Sequence, residues 1–194
     1  GEDLRECDVL FVAQAHGFMA TRIHELSALA PRVIDLSADF RLRDADAYER
    51  WDGEPHPTPA WLSKFVYGLP ELHREELASA SYISGVGCNA TAVNLALLPL
   101  ARSGAIERAV VDLKVGSSEG GARESAASHH PERSGSMRSF APTGHRHQAE
   151  VLQALGDIEL HFSATSVEAV RGVLCTAHVF LNEEMEERDL WRLY

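Results

Sequence analysis

Val9-Leu-Phe-Val-Ala13, Gly17 to Leu29, and Arg32-Val-Ile-Asp-Leu-Ser37 decide the fold. Cys7–Ala13 is a short continuous apolar run, as expected of a strand buried in a parallel sheet. Phe18, Ile23, Leu26 and Leu29 recur at helical spacing before Pro31 stops the pattern, and Arg32–Ser37 reads as a second strand. Strand, helix and strand in so short a stretch make a βαβ unit, and that unit implies a parallel α/β sheet.

Working outward, Pro55, Pro57 and Pro59 mark a loop over 52–59 that leads into a short helix at 60–64. A helix over Glu71–Ala78 and a strand over Tyr82–Val86 follow. Ala92, Val93, Ala96, Leu97 and Leu100 then build a helix that Gly104 closes, and Arg108–Val115 reads as a strand. Residues 116–146 are rich in Gly, Ser, His and Arg and poor in apolar residues, so they read as one long loop, functional or solvated. His147–Leu155 is helical, Ile158–Val167 and Val173–Leu181 read as neighbouring strands, and Glu183–Tyr194 is an amphipathic helix. The fold class is therefore α/β followed by α+β, with a nucleotide-type domain over 1–85 and a catalytic domain over 86–194.

Composition narrows the function. The 194 residues are 45% hydrophobic, enough for a real core. A formal charge of −11 argues against a general nucleic-acid binder. Three scattered cysteines, Cys7, Cys88 and Cys175, give neither a disulfide framework nor zinc spacing, so no metal is expected and a reducing cytoplasm is the default. No apolar run approaches the roughly 18 residues that a membrane span needs, so no membrane partner is expected either. The chain starts without methionine directly before a strand and ends on Trp191-Arg-Leu-Tyr194 within a helical pattern, so both ends read as cuts through a longer polypeptide.

Ser84-Gly-Val-Gly-Cys88-Asn-Ala-Thr-Ala92 marks the passage from strand to helix. A helix N-terminus offers N–H donors and partial positive charge, which favour thiolate over thiol, and Gly85 and Gly87 let the backbone approach a ligand. The bland alternative is a buried small hydrophobe. Gly85 to Ala90 also fits the dinucleotide pattern G-x-G-x-x-A, with Asp112 beyond it. A pyrophosphate loop gains nothing from a thiol, however, and the βαβ unit lies upstream.

Thiolate chemistry needs a nearby proton carrier. Gly144-His145-Arg146-His147-Gln-Ala-Glu150 packs two histidines, an arginine and a carboxylate into one loop-to-helix junction. His147 and Glu150 are three apart and share a helix face, so the carboxylate can orient the imidazole. Arg146 is suited to an anionic substrate group. His129 and His130 read as bystanders, His161 and His178 as structural, and Cys7 and Cys175 as core. Lys114-Val-Gly116-Ser117-Ser118-Glu-Gly120-Gly121 is either an anion-binding nest or a plain turn.

Six segments in order resemble N-acetyl-γ-glutamyl-phosphate reductases and their lysine-pathway relatives, the carrier-linked aminoadipate-phosphate reductases. They are Ala15-His16-Gly17, Asp35-Leu-Ser37-Ala-Asp39-Phe-Arg41, Tyr67-Gly-Leu-Pro-Glu71, Gly87-Cys88-Asn89-Ala-Thr91-Ala92, His145-Arg-His147-Gln-Ala-Glu150 and Val170-Arg-Gly172-Val-Leu174. Asn89 and Ala90, in place of the Tyr-Pro of the arginine branch, and the loop His129–Arg138 resemble the lysine branch.

The resemblance implies a Rossmann-type NADP-binding domain followed by a glyceraldehyde-3-phosphate-dehydrogenase-like catalytic domain. It implies reduction of an acyl phosphate to a semialdehyde through a Cys88 thioester, in lysine or arginine biosynthesis. His147, in preference to His145, is expected as acid/base with Glu150 behind it. Asn89, Ser117, Arg123 and Arg146 are the substrate-binding candidates, and Ala15, His16, Gly17, Ser37 and Asp39 are those for NADP(H). The substrate is expected as a small molecule or on an acidic amino-group carrier protein, received by the arginines between 123 and 146, Arg133 and Arg138 among them. A homo-oligomer is expected. The family's phosphate-binding turn and C-terminal segment are missing from these residues, so weak or no catalysis is expected of the chain alone. The competing readings are a cysteine acyl transferase or hydrolase that ignores NADP, and a non-catalytic carrier-binding protein.

Overall fold

A computed structural model describes residues 7–121, 125 and 129–194, which divide into compact units over Gly1–Gly87 and Cys88–Tyr194. The first unit runs β1 (Val9–Val12), α1 (Phe18–Leu26), β2 (Arg32–Asp35), α2 (Ala45–Asp52), β3 (Val66–Tyr67), α3 (Pro70–Ser79) and β4 (Tyr82–Ser84). Its four strands are all parallel, in the order β1-β2-β4-β3. Val33 on the central β2 is fully buried, together with Met19, Ile23, Phe40, Leu62 and Phe65. The expectation of a buried first strand is corrected: β1 is an edge strand with only Val12 buried and Phe11 63% exposed. Cys7, read as core, is exposed before that strand begins.

The second unit contains α4 (Cys88–Ser103), β5 (Ile106–Val115), α5 (His130–Arg133), β6 (Arg138–Ala141), α6 (His147–Leu155), β7 (Glu159–Ser166), β8 (Val173–Leu181) and α7 (Glu187–Leu193). The strand order is β6-β7-β5-β8, with β5 and β7 parallel and the outer pairings antiparallel. β7 and β8, expected side by side, are separated by β5. Each finds on β5 an apolar alternation that matches its own, and adjacency in sequence does not force pairing. The long loop expected over 116–146 is corrected as well, because α5 and β6 are folded within it.

One face of this sheet carries the core. Ala109, Val111, Leu113 and Val115 of β5 pack with Leu160, Phe162 and Ala164 of β7 and with Ala90, Val93, Leu97 and Leu100 of α4. Helix α4 ends at Gly104, whose φ of +71° suits a residue without Cβ. There the Gly104 and Ala105 N–H groups bond the carbonyls of Ala101 and Leu100, a Schellman cap that turns the chain straight into β5. The opposite face is open, with Val110, Leu174 and Phe180 exposed. Among the described residues, no helix is long and apolar enough to cross a membrane.

Candidate active site

Topology brings the thiol and the histidines together in the second unit. Cys88 opens α4, which doubles back through Gly104 into β5, and His147 opens α6, which returns through Gly156 into β7. Because β5 and β7 are parallel and α4 packs on α6, both helices start at the sheet end where Val115 and Ser166 finish their strands. Helices of 16 and 9 residues span about 24 and 14 Å, so sheet length alone keeps these N-termini apart from the opposite end.

Cys88 is exposed, and its Sγ lies 3.8 Å from the Asn89 Oδ1. Asn89 is fully buried, and its Nδ2 has no hydrogen-bond partner among the described residues. His147 and Glu150 are both buried, with Nε2 and Oε1 3.8 Å apart. His145 is fixed differently. Its Nδ1 accepts the His147 backbone N–H at 3.1 Å, and its ring stacks on Phe162 at 5.6 Å. Burial, seconded by the Arg146 charge, pushes the His145 pKa down to about 4, so this imidazole is neutral with its proton on Nε2. Arg146 itself is exposed.

The strand exit is a turn and not a nest. The N–H groups of Gly116, Ser117 and Ser118 are taken by the carbonyls of Gly172, Ala169 and Val170. Ser117 therefore offers only its hydroxyl, which sits 3.3 Å from the His130 Nδ1. His130, read as a bystander, is part of this cluster. Arg133 is corrected too: it is only 3% exposed, and its Nη2 donates to the Val115 carbonyl at 3.3 Å. It is no surface charge, and nothing in its Arg-rich sequence context distinguishes it from the exposed Arg138. Arg123 lies outside the described residues.

In the first unit, Asp39 is fully buried and caps α1 across 22 residues of chain. Oδ1 accepts the Gly17 N–H at 2.7 Å and Oδ2 the Ala20 N–H at 2.8 Å. His16 bridges Asp39 and Asp52 at 2.7 and 2.8 Å, and the Asp39 bond foremost raises its pKa to about 9. Burial works against ionisation of Asp39, but the His16, Gly17 and Ala20 bonds outweigh it and hold the carboxyl low. Ser37 is spent on Asp35, donating its N–H and Oγ to the two carboxylate oxygens. Gly17, Ser37 and Asp39 thus shape the loops and do not present donors outward. Ala13, Gln14, Ala15 and Leu36 are exposed at the carboxyl ends of β1 and β2. A dinucleotide on an open α/β sheet lies at that rim. Among the described residues, no cluster suited to a metal ion occurs.

Two family models match this chain: the semialdehyde dehydrogenase NAD binding domain over residues 1–80 and the semialdehyde dehydrogenase dimerisation domain over 88–194. The chain belongs to the semialdehyde dehydrogenase family. Within that family, a relative from Thermomicrobium roseum is 54% identical across 100% of this chain and 57% of its own length. The LysW-L-2-aminoadipate 6-phosphate reductase of Deinococcus radiodurans is 47% identical over 99% of this chain and 56% of its own. The LysW-L-2-aminoadipate/LysW-L-glutamate phosphate reductase of Saccharolobus solfataricus is 43% identical over 96% and 55%. The chain thus spans a little over half the length of these relatives. Among solved structures, aspartate semialdehyde dehydrogenase from Francisella tularensis has the same fold, with a TM-score of 0.70 at 12% identity over 98% of this chain and 63% of that one. A semialdehyde dehydrogenase from Candida albicans, solved with NADP, gives 0.66 at 11% identity over 97% and 55%.

Proposed function

We propose that this chain carries the acyl-transfer and reduction site of an NADPH-dependent acyl-phosphate reductase. Its substrate is 2-aminoadipate 6-phosphate held on an acidic carrier, or N-acetylglutamyl 5-phosphate. The observation that carries the reading is the exposed Cys88 thiol on the first turn of α4, at the same sheet end as the His145–His147–Glu150 cluster. The substrate class comes from the relatives' names, and the lysine-type loop supports it.

Cys88 Sγ attacks the acyl carbon, the bond to the phosphate oxygen breaks, and phosphate leaves with the electron pair. A thioester remains on Cys88. N–H groups of the first turn of α4 and the Asn89 amide stabilise the oxyanion. Ala15 and Leu36 at the β1–β2 rim would hold a nicotinamide dinucleotide, which would supply the hydride for reduction. His147 protonates the resulting oxyanion and takes that proton back as the C–S bond breaks, which frees the semialdehyde and the thiolate. Glu150 steadies the charged imidazole meanwhile.

Self-association fits the open face of the second sheet, where Val110, Leu174 and Phe180 are exposed, and it accords with the dimerisation domain matched there.

The test is NADP-dependent, arsenate-stimulated oxidation of carrier-linked aminoadipate semialdehyde and of N-acetylglutamate semialdehyde, in the full-length polypeptide and its Cys88→Ala variant. Activity lost in the variant supports the reading, and the preferred aldehyde identifies the branch. Thioester turnover indifferent to NADP would replace it with an acyl transferase or hydrolase. No turnover with carrier binding intact would leave a carrier-binding protein.

A further inference from the structure

Arg133 is buried more deeply than a surface arginine needs to be, and its hydrogen bonding among the described residues is incomplete. Of its guanidinium nitrogens, Nη2 meets the Val115 carbonyl, while Nε and Nη1 are buried with no hydrogen-bond partner among the described residues. Glu119 forms an ion pair with it, Oε1 lying 3.8 Å from Nη2, a separation longer than a hydrogen bond, and burial raises the Glu119 pKa against the pull of Arg133. Buried guanidinium donors left unmade are costly, and native folds rarely keep them without use.

The surroundings are built for an oxyanion. His130 and Arg133 sit three apart on the single turn of α5 and clasp the end of β5 at two points, His130 at Ser117 and Arg133 at Val115. The backbone N–H groups there already serve the 169–172 segment, so any ligand must be held by side chains. Ser117 and Arg133 are both more than nine-tenths buried, and their hydroxyl and guanidinium donors lie at the sheet end where α4 and α6 begin.

We infer that Arg133, with Ser117 and His130 beside it, is an oxyanion subsite that holds a carboxylate or phosphate group of the substrate. The inference rests on the acyl-phosphate reading above and adds its anchoring group. Arginine suits that task because its planar donors match the two oxygens of either group.

The probes are inorganic phosphate and 2-aminoadipate, titrated by calorimetry into the full-length polypeptide and its Arg133→Gln and Arg133→Lys variants. Losing a charge-assisted bond should weaken binding about tenfold or more in Arg133→Gln, and less in Arg133→Lys. Loss confined to phosphate makes the subsite one for the leaving group, and loss confined to 2-aminoadipate makes it one for the substrate's carboxylate. Unchanged affinities, or no binding of either probe by the unaltered protein, would overturn the inference and leave Arg133 a structural clasp. Should Arg133→Gln fail to fold, the Arg133 Nε–H resonance of the unaltered protein decides: it shifts on adding the bound probe or the subsite does not exist. Oxidation of the semialdehyde by the Cys88 route is a separate measurement, so the two readings can fail independently.

Discussion

The Nδ1 of His145 accepts the backbone N–H of His147 at 3.1 Å, and this bond divides the labour between two histidines in one junction. His145 is committed as an acceptor, stacked on Phe162, and held neutral with a pKa near 4. It fixes the start of α6. His147, paired with Glu150, is the group left to move a proton. Asn places an oxygen where the imidazole Nδ1 was, so His145→Asn should keep turnover within about tenfold. His147→Asn should cost about a hundredfold or more. Steady-state kcat of both variants in the semialdehyde assay decides; the reverse order would move the proton to His145.

The two units should respond to pH in opposite directions. His16 has a folded pKa near 9, above its unfolded value of about 6.5. Its stabilising bridge to Asp39 and Asp52 is fully present below pH 6.5 and lost as pH rises toward 9. His145 has a folded pKa near 4, below its unfolded value. Between pH 6.5 and 4 the unfolded chain binds the extra proton, so stability falls on acidification. Thermal melts across pH 4 to 9 should show an alkaline decline that His16→Asn removes and an acid decline that His145→Asn reduces.

Three glycines give a graded packing test. A Cβ on Gly68 would lie 2.5 Å from the Ser84 carbonyl oxygen, and one on Gly116 would lie 2.9 Å from that of Val170. Both neighbours are backbone and cannot swing away. A Cβ on Gly144 meets nothing within 4 Å. Gly68→Ala and Gly116→Ala should each lose about 2 kcal/mol or more, and Gly144→Ala should stay within about 0.5 kcal/mol. Denaturant midpoints would show it, and equal losses at all three positions would refute it.

Arg138 is exposed beside Met137 and Phe140, which are 69% and 40% exposed, so a charged and apolar strip borders β6. That strip suits an acidic carrier better than the buried Arg133. Arg138→Glu should weaken carrier binding and flatten its salt dependence while leaving the melting temperature unchanged. Titrations at two ionic strengths would test it, and unchanged affinity would remove Arg138 from the interface.

The βαβ unit, the Cys88 helix and the His147–Glu150 pair were legible because each follows from local chemistry: apolar runs, helical spacing and a closing glycine. What escaped depends on long-range pairing. Nothing near His16 announces that Asp39 and Asp52 will clamp it, and nothing in 116–146 marks Arg133 as buried while Arg138 is not. The place of β5 between β7 and β8 is likewise a property of the whole sheet. The family resemblance points to Ser37 and Asp39 as cofactor contacts. Here their polar groups turn inward to satisfy the loop.

The three cysteines make the last prediction, because they differ in setting and not in kind. Cys88 is exposed at the first turn of α4, where helix N–H groups favour developing negative charge. Cys7 is exposed before β1 and opens no helix. Cys175 is half-covered on β8, and burial foremost, with the Asp112 charge, pushes its thiol up to about 11. Alkylation by iodoacetamide at pH 7.5 should therefore run in the order Cys88, Cys7, Cys175, with Cys175 at least about tenfold slower than Cys88 because so little of it is thiolate. Peptide mass mapping over time reads all three at once. Cys88 reacting no faster than Cys7 would mean that the helix end lends the thiol nothing, and the nucleophile would then need another source of activation.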